Sequence, residues 1–99
     1  MEYRRLGRSD IKVSAVSFGT MTFGEQTSEA DAHRLLDTCL DRGINFIDAS
    51  ETYPVPSTGG TRGLTEQYIG TWLAARRNRD KVIVGTKVAG RTQRMDFLG

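Results

Sequence analysis

The sequence predicts an α/β fold: a short antiparallel hairpin, then β, α, β, α, β with right-handed crossovers. Three observations carry this reading. Residues 28–43 and 64–76 repeat apolar side chains at the helical period. Short apolar runs follow each of them, at 44–49 and 82–86. The strand-like runs close on Gly19, on Asp48 and on Lys87, so chemistry-bearing residues collect at one end of the expected sheet. A length of 99 residues suits one small domain and excludes a complete (β/α)8 barrel, which takes about 250.

The elements follow in order. Tyr3 to Leu6 and Ile11 to Ser14 are β-compatible and flank Gly7-Arg8-Ser9-Asp10, a four-residue turn. Ser14 to Phe18 reads as a short strand closed by Gly19. Ser28 followed by Asp31 resembles a capping box with Asp in place of Glu, and opens a helix. Its apolar stripe is Ala32, Leu35, Leu36, Cys39 and Leu40, and Gly43 stops it. His33 lies off that stripe and is expected to face solvent. Ile44 to Ala49 is the next strand, and Ser50 to Gly63, aperiodic and rich in Gly, Pro, Ser and Thr, is a long loop of the kind that serves function. Leu64 to Arg76 returns to helical spacing, with Thr65, Tyr68, Ile69, Trp72 and Leu73 on one face. Val82 to Thr86 is expected to be a parallel strand covered on both faces. Residues 91–99 leave room for at most the start of a third helix.

Composition excludes several classes. With 37% hydrophobic and 26% charged residues the chain is neither disordered nor fibrous. No apolar run is long enough to cross a bilayer, and Met1-Glu2-Tyr3-Arg4-Arg5-Leu6 has no apolar core of a secretory signal, so a cytoplasmic protein without a membrane partner is expected. The single cysteine, Cys39, forms no internal disulfide and on the stripe reads as a small buried hydrophobe. Charge is uneven. Residues 1–53 hold six basic and nine acidic groups, and residues 54–99 hold eight basic and three acidic. The excess sits in Arg76-Arg77-Asn78-Arg79-Asp80-Lys81, Arg91 and Arg94. A solvated helix end, where cations complement the macrodipole, explains the run better than a nucleic-acid partner.

The motifs narrow the choice between an open doubly wound sheet and a barrel. Gly19-Thr20-Met21-Thr22-Phe23-Gly24 lacks the middle glycine of a dinucleotide-binding turn, and no glycine loop precedes a Lys-Ser or Lys-Thr pair as a P-loop requires. What remains is Gly19 and Thr20 after one strand, Asp48 and Tyr53 after the next, and Lys87 after the third. Taken singly, Tyr53 is a loop aromatic, Lys87 a solvated strand end and Asp48 a turn or cap residue. Jointly their spacing points to catalysis.

Those residues resemble the N-terminal part of the aldo/keto reductase family over essentially the whole chain. The resemblance rests on the basal hairpin, Phe18-Gly19-Thr20-Met21-Thr22-Phe23-Gly24, Gly43-Ile44-Asn45-Phe46-Ile47-Asp48-Ala49 with Tyr53 five residues on, Gly63-Leu64-Thr65-Glu66, and Thr86-Lys87. Met21-Thr22-Phe23-Gly24-Glu25-Gln26 and Tyr53-Pro54-Val55-Pro56 look most like the bacterial Tas-type members, which also resemble potassium-channel β subunits. The resemblance implies the N-terminal portion of a (β/α)8 TIM barrel, with the basal hairpin and about three β/α units, truncated after the third strand. It implies NADP(H) as cofactor and a small aldehyde or ketone as substrate. Tyr53 then matches the general acid, Lys87 and Asp48 its tuning partners, and Gly19, Thr20, Met21, Gln26 and Asp48 the positions around the nicotinamide.

The chemistry makes those types intelligible. Hydride arriving at a carbonyl carbon leaves charge on oxygen, which a proton donor stabilises. A free phenol, with a pKa near 10, parts with its proton reluctantly at neutral pH. An ammonium beside it favours the phenolate, and a carboxylate paired to the ammonium holds that in place. The family also uses a histidine after its fourth strand, which His33 cannot supply, and its phosphate-gripping segments lie late in the chain. The expectation is therefore an N-terminal fragment of an NADPH-dependent oxidoreductase, inactive in isolation. The alternative is a non-catalytic, cofactor-sensing or regulatory subunit of the channel-β type.

Overall fold

The computed structural model describes residues 1–55 and 58–88. Pro56, Ser57, Arg91, Arg94 and the expected start of a third helix lie outside the described residues. The chain runs β1 (Tyr3–Arg5), β2 (Lys12–Ser14), β3 (Ser17–Gly19), α1 (Glu29–Asp41), β4 (Phe46–Asp48), α2 (Leu64–Arg76), a 3-10 turn (Arg79–Lys81) and β5 (Ile83–Gly85). β1 and β2 form the antiparallel hairpin, and β3, β4 and β5 form a separate parallel sheet in that order.

The hairpin forms because Gly7 takes a φ of 60°, the Leu6 N–H reaches the Ile11 carbonyl at 2.8 Å and the Ser9 hydroxyl donates to the Leu6 carbonyl at 2.6 Å. Asn45 ties it to the body. Its Oδ1 accepts from the Ser14 N–H at 2.7 Å, its own N–H donates to Ser14 Oγ at 3.1 Å, and its Nδ2 donates to the Lys12 carbonyl at 3.1 Å. The Tyr3 hydroxyl adds a bond to the Gly43 carbonyl at 2.7 Å.

The expected strands are present but shorter. Ser14 ends β2, and two residues separate it from β3, so Ser14 to Phe18 is not one strand. Register aligns three rows: Ser17, Phe46 and Ile83; Phe18, Ile47 and Val84; Gly19, Asp48 and Gly85. The middle row joins a core of Phe23, Ala32, Leu36, Ala49, Ile69, Trp72 and Val82 contributed largely by the helices. The other two rows alternate to the opposite face. Phe46 lies across the third row, where a Cβ on Gly85 would come within 3.3 Å of its ring. Ile83, Val84 and Gly85 are all half-buried among the described residues, which corrects the expectation of a strand fully enclosed on both sides.

α1 starts as its sequence dictates: Ser28 Oγ accepts from the Asp31 N–H at 3.2 Å. Asp31 pairs with Arg34. Leu35 departs from the expected stripe and is 43% exposed. Cys39 is buried, and burial pushes its thiol pKa up. His33 is the second correction. It is half-buried between the helices, with Nε2 3.1 Å from the Tyr68 carbonyl and 3.0 Å from Thr71 Oγ1. Because a carbonyl only accepts, Nε2 carries the proton. Thr71 passes the chain of bonds to Glu29 Oε2 at 2.7 Å.

The helices are locked together at their other end by Asp37, half-buried on α1. Its Oδ1 accepts from Trp72 Nε1 at 2.8 Å and from Arg76 Nε at 3.0 Å, and its Oδ2 from Arg76 Nη2 at 3.0 Å. A fully buried indole thereby keeps its N–H satisfied. Much of the basic run has structural work: Arg76 holds Asp37, Arg77 caps α2 at a φ of 53°, and Arg79 Nη1 donates to the Val82 carbonyl at 3.1 Å.

Arg76, then Trp72, holds the Asp37 carboxyl below its ordinary 3.8. A lowered carboxyl contributes stability above its ordinary value and loses it as pH falls through the folded one. Asp37→Asn is therefore expected to lower Tm at pH 7, with the gap to the unsubstituted chain closing below about pH 4. Circular-dichroism melts across that range check it, and a gap that persists in acid contradicts it.

Candidate active site

Asp48 closes β4, opposite Gly19 and Gly85 on its two neighbours. Its carbonyl accepts from the Thr20 N–H at 3.2 Å and from the Thr20 hydroxyl at 2.7 Å, which binds the turn after β3 to the end of β4. On the other side the Ala49 N–H donates to the Gly85 carbonyl at 2.7 Å. Backbone pairing thus brings three strand ends level, and the side chains beyond them meet.

Lys87, two residues past β5, reaches back across that edge. Its Nζ donates to Asp48 Oδ1 at 2.7 Å and to the Ala49 carbonyl at 2.8 Å, and lies 4.7 Å from the centroid of the Tyr53 ring. That is a cation–π distance. Tyr53 is held by its backbone: its N–H donates to the Ser50 carbonyl at 3.2 Å, and its carbonyl accepts from the Gly63 N–H at 3.1 Å. The Tyr53–Pro54 peptide is cis and Pro54 is buried, while the Val55 N–H donates to the Met21 carbonyl at 2.8 Å. The long loop is therefore fastened at both its ends and against the β3–α1 turn.

The structure brings Asp48, Tyr53 and Lys87 into one contact group, with Gly19 and Thr20 on the adjoining strand end. Gly19 is exposed, with nothing within 4 Å of where a Cβ would stand. Thr20 is fully buried and its hydroxyl is committed to Asp48. Met21 is 52% exposed. Gln26 is exposed and borders a surface cleft with Thr27, Asp31 and Arg34, on the α1 side.

Sequence reasoning assigned no role to Thr65, Glu66 or Thr86. Thr65, fully buried, donates its hydroxyl to the Phe23 carbonyl at 2.7 Å, with the Thr20 carbonyl at 3.3 Å. The Thr86 hydroxyl donates to Glu66 Oε2 at 2.6 Å. The signal available was the Gly63-Leu64-Thr65-Glu66 segment, which marked a helix start without saying what its side chains touch.

Electrostatically, Asp48 is the main influence on Lys87. Its hydrogen bond, with Tyr53 contributing, holds the ammonium above the ordinary 10.5 against partial desolvation. With both side chains about half exposed the pair is worth at most about 1 kcal/mol. A raised lysine contributes this stability fully below its ordinary value and loses it as pH rises through the folded one. In Asp48→Asn the Lys87 midpoint is expected to fall, as read from its Cε resonance during an NMR titration; an unmoved midpoint contradicts the pairing.

Comparison with known proteins bears on what such a strand-end group belongs to. The family model for the aldo/keto reductase family matches residues 15–97. The chain is 51% identical over 96 residues to protein tas of Escherichia coli, covering 97% of this chain and 28% of that protein. It is 34% identical to a probable voltage-gated potassium channel subunit beta of Arabidopsis thaliana, over 89% of this chain and 25% of the other. Among solved structures, aldo-keto reductase AKR11C1 from Bacillus halodurans, in its holo form, superposes with a TM-score of 0.72 at 39% identity, over 94% of this chain and 28% of that one. The chain thus spans little more than a quarter of these relatives' length, and its parallel sheet with flanking helices corresponds to the N-terminal portion of their α/β barrel. By sequence and by fold, this chain belongs to the aldo/keto reductase family.

Proposed function

We propose that residues 1–99 work as the opening part of an NADPH-dependent reductase of aldehydes or ketones, with Tyr53 as general acid, Lys87 and Asp48 as its tuning partners, and a domain that continues beyond the third parallel strand. The observation that carries the proposal is the contact of Lys87 Nζ with both Asp48 Oδ1 and the Tyr53 ring at the ends of adjacent parallel strands.

The donor set suits the reacting end of a nicotinamide cofactor. Gly19 leaves open space, Asp48 and Lys87 are half exposed, and a phenol stands beside them. It does not suit the phosphates, because its ammonium is already committed to Asp48 and the Ala49 carbonyl. Gly19, Met21, Gln26 and Asp48 would border the nicotinamide, and Thr20 would act from beneath by holding the Asp48 backbone. NADPH, when bound, supplies the hydride that reduces the carbonyl carbon. Tyr53 gives its hydroxyl proton to the carbonyl oxygen, so the oxygen leaves as an alcohol rather than an alkoxide. Lys87 lowers the cost of the phenolate left behind, and Asp48 keeps Lys87 from turning to solvent. The protein acts on a small soluble carbonyl compound, in the cytoplasm, without nucleic acid.

Likeness to channel β subunits supports a second reading, in which the same site senses cofactor without turning substrate over. The two readings part in one assay. In the complete barrel, Tyr53→Phe is expected to cut aldehyde-dependent NADPH oxidation at least about 100-fold while leaving cofactor affinity unchanged. Unchanged turnover overturns the assignment of Tyr53, and absence of turnover in the unsubstituted protein with intact NADPH binding favours the sensing role.

A further inference from the structure

We propose that Glu66 is a positioning residue for Lys87: by accepting the Thr86 hydroxyl it fixes the chain leaving β5, and with it the ammonium that Asp48 and Tyr53 face. This rests on the reading of Asp48, Tyr53 and Lys87 as the reacting group.

Lys87 follows β5 by two residues and is exposed, so nothing in the sheet ladder determines where its side chain goes. A lysine side chain gives up much conformational freedom when it is fixed, and an exposed ion pair repays little of it. The backbone before it must therefore be held. Thr86 does this through a 2.6 Å hydrogen bond to Glu66 Oε2, a charge-assisted contact across twenty residues of sequence. Beyond Lys87, the Glu51 N–H donates to the Lys87 carbonyl at 3.2 Å, so the lysine is fastened on both sides.

Glu66 is well placed for the task because the N-cap and first turn of α2 touch the segments that follow all three parallel strands. The Gly63 N–H donates to the Tyr53 carbonyl at 3.1 Å. Thr65 Oγ1 donates to the Phe23 carbonyl at 2.7 Å, and the Thr20 carbonyl lies 3.3 Å from it. Glu66 takes Thr86. Contacts from Gly63, Thr65 and Glu66 thus hold the loop carrying Tyr53, the turn after β3 and the exit from β5. Gly63 makes the approach possible by taking a φ of 85°, which turns the loop into the helix.

The test uses the 99-residue chain and reads Lys87 without any assay of activity. The chain has three lysines, Lys12, Lys81 and Lys87, so Lys87→Arg assigns the Cε resonance. Glu66→Ala and Thr86→Val each remove the clamp, the second with Glu66 charge intact. Both are expected to shift the Lys87 titration midpoint downward. Glu66→Gln, whose amide oxygen still accepts from Thr86, is expected to keep the midpoint of the unsubstituted chain. Far-UV circular dichroism confirms that α2 persists in each. An unmoved midpoint in Glu66→Ala and Thr86→Val overturns the proposal. So does an equal shift in Glu66→Gln, since the carboxylate would then act by charge at a distance. Failure here leaves the Tyr53→Phe outcome untouched, so it is separable from failure of the reductase reading.

Discussion

The parallel pairing of β4 with both neighbours is the constraint on which everything else depends. Because Gly19, Asp48 and Gly85 stand in one row, the residues that follow each strand emerge at one edge. Asp48 serves that edge twice. Its carbonyl gathers Thr20, and its carboxylate gathers Lys87. Slipping β4 against β5 by one residue would send Asp48 and the chain leading to Lys87 to different faces, since side chains alternate along a strand. The meeting of these residues is thus secured first by strand register.

Two further devices hold the register. The helices stack through Asp37, Trp72 and Arg76 at one end and through His33, Thr71 and Glu29 at the other, which fixes α2 along α1. The first turn of α2 then reaches the strand ends through Thr65 and Glu66. Burial of Trp72, Phe23, Leu36 and Ile47 supplies the driving force, and the polar contacts give it direction. Among the described residues β3 and β5 are the two edges of the parallel sheet, an arrangement that fits the N-terminal portion of a barrel.

Much of this was legible in the sequence. The stripe of α1 and its Ser28 cap placed that helix to within a residue or two, and Leu64 to Arg76 was read at its observed bounds. The strand order and the strand-end residues followed from apolar runs closing on Gly19, Asp48 and Lys87. What could not be read were partners distant in sequence. Asp37 looks like any polar residue of α1, yet it holds Trp72 and Arg76, 35 and 39 residues away. His33 lies off the stripe, but the face it occupies is the one α2 covers. Leu35 fits the period and stays exposed, because no described element packs on that side of α1. Strand lengths failed for a related reason: pairing with neighbours, rather than the apolar run, decides where a strand ends.

Lys87, Asp48 and Tyr53 form one group in the folded chain, and the proton chemical shifts of the Lys87 Cε methylene report on it. With Nζ 4.7 Å from the centroid of the Tyr53 ring, the ring current should displace those protons upfield of an ordinary exposed lysine. Replacing Tyr53 by Leu should return them to the ordinary value while the Lys12 and Lys81 signals stay in place. Lys87 methylene shifts that match the other two lysines in the unsubstituted chain would show that the group is not assembled.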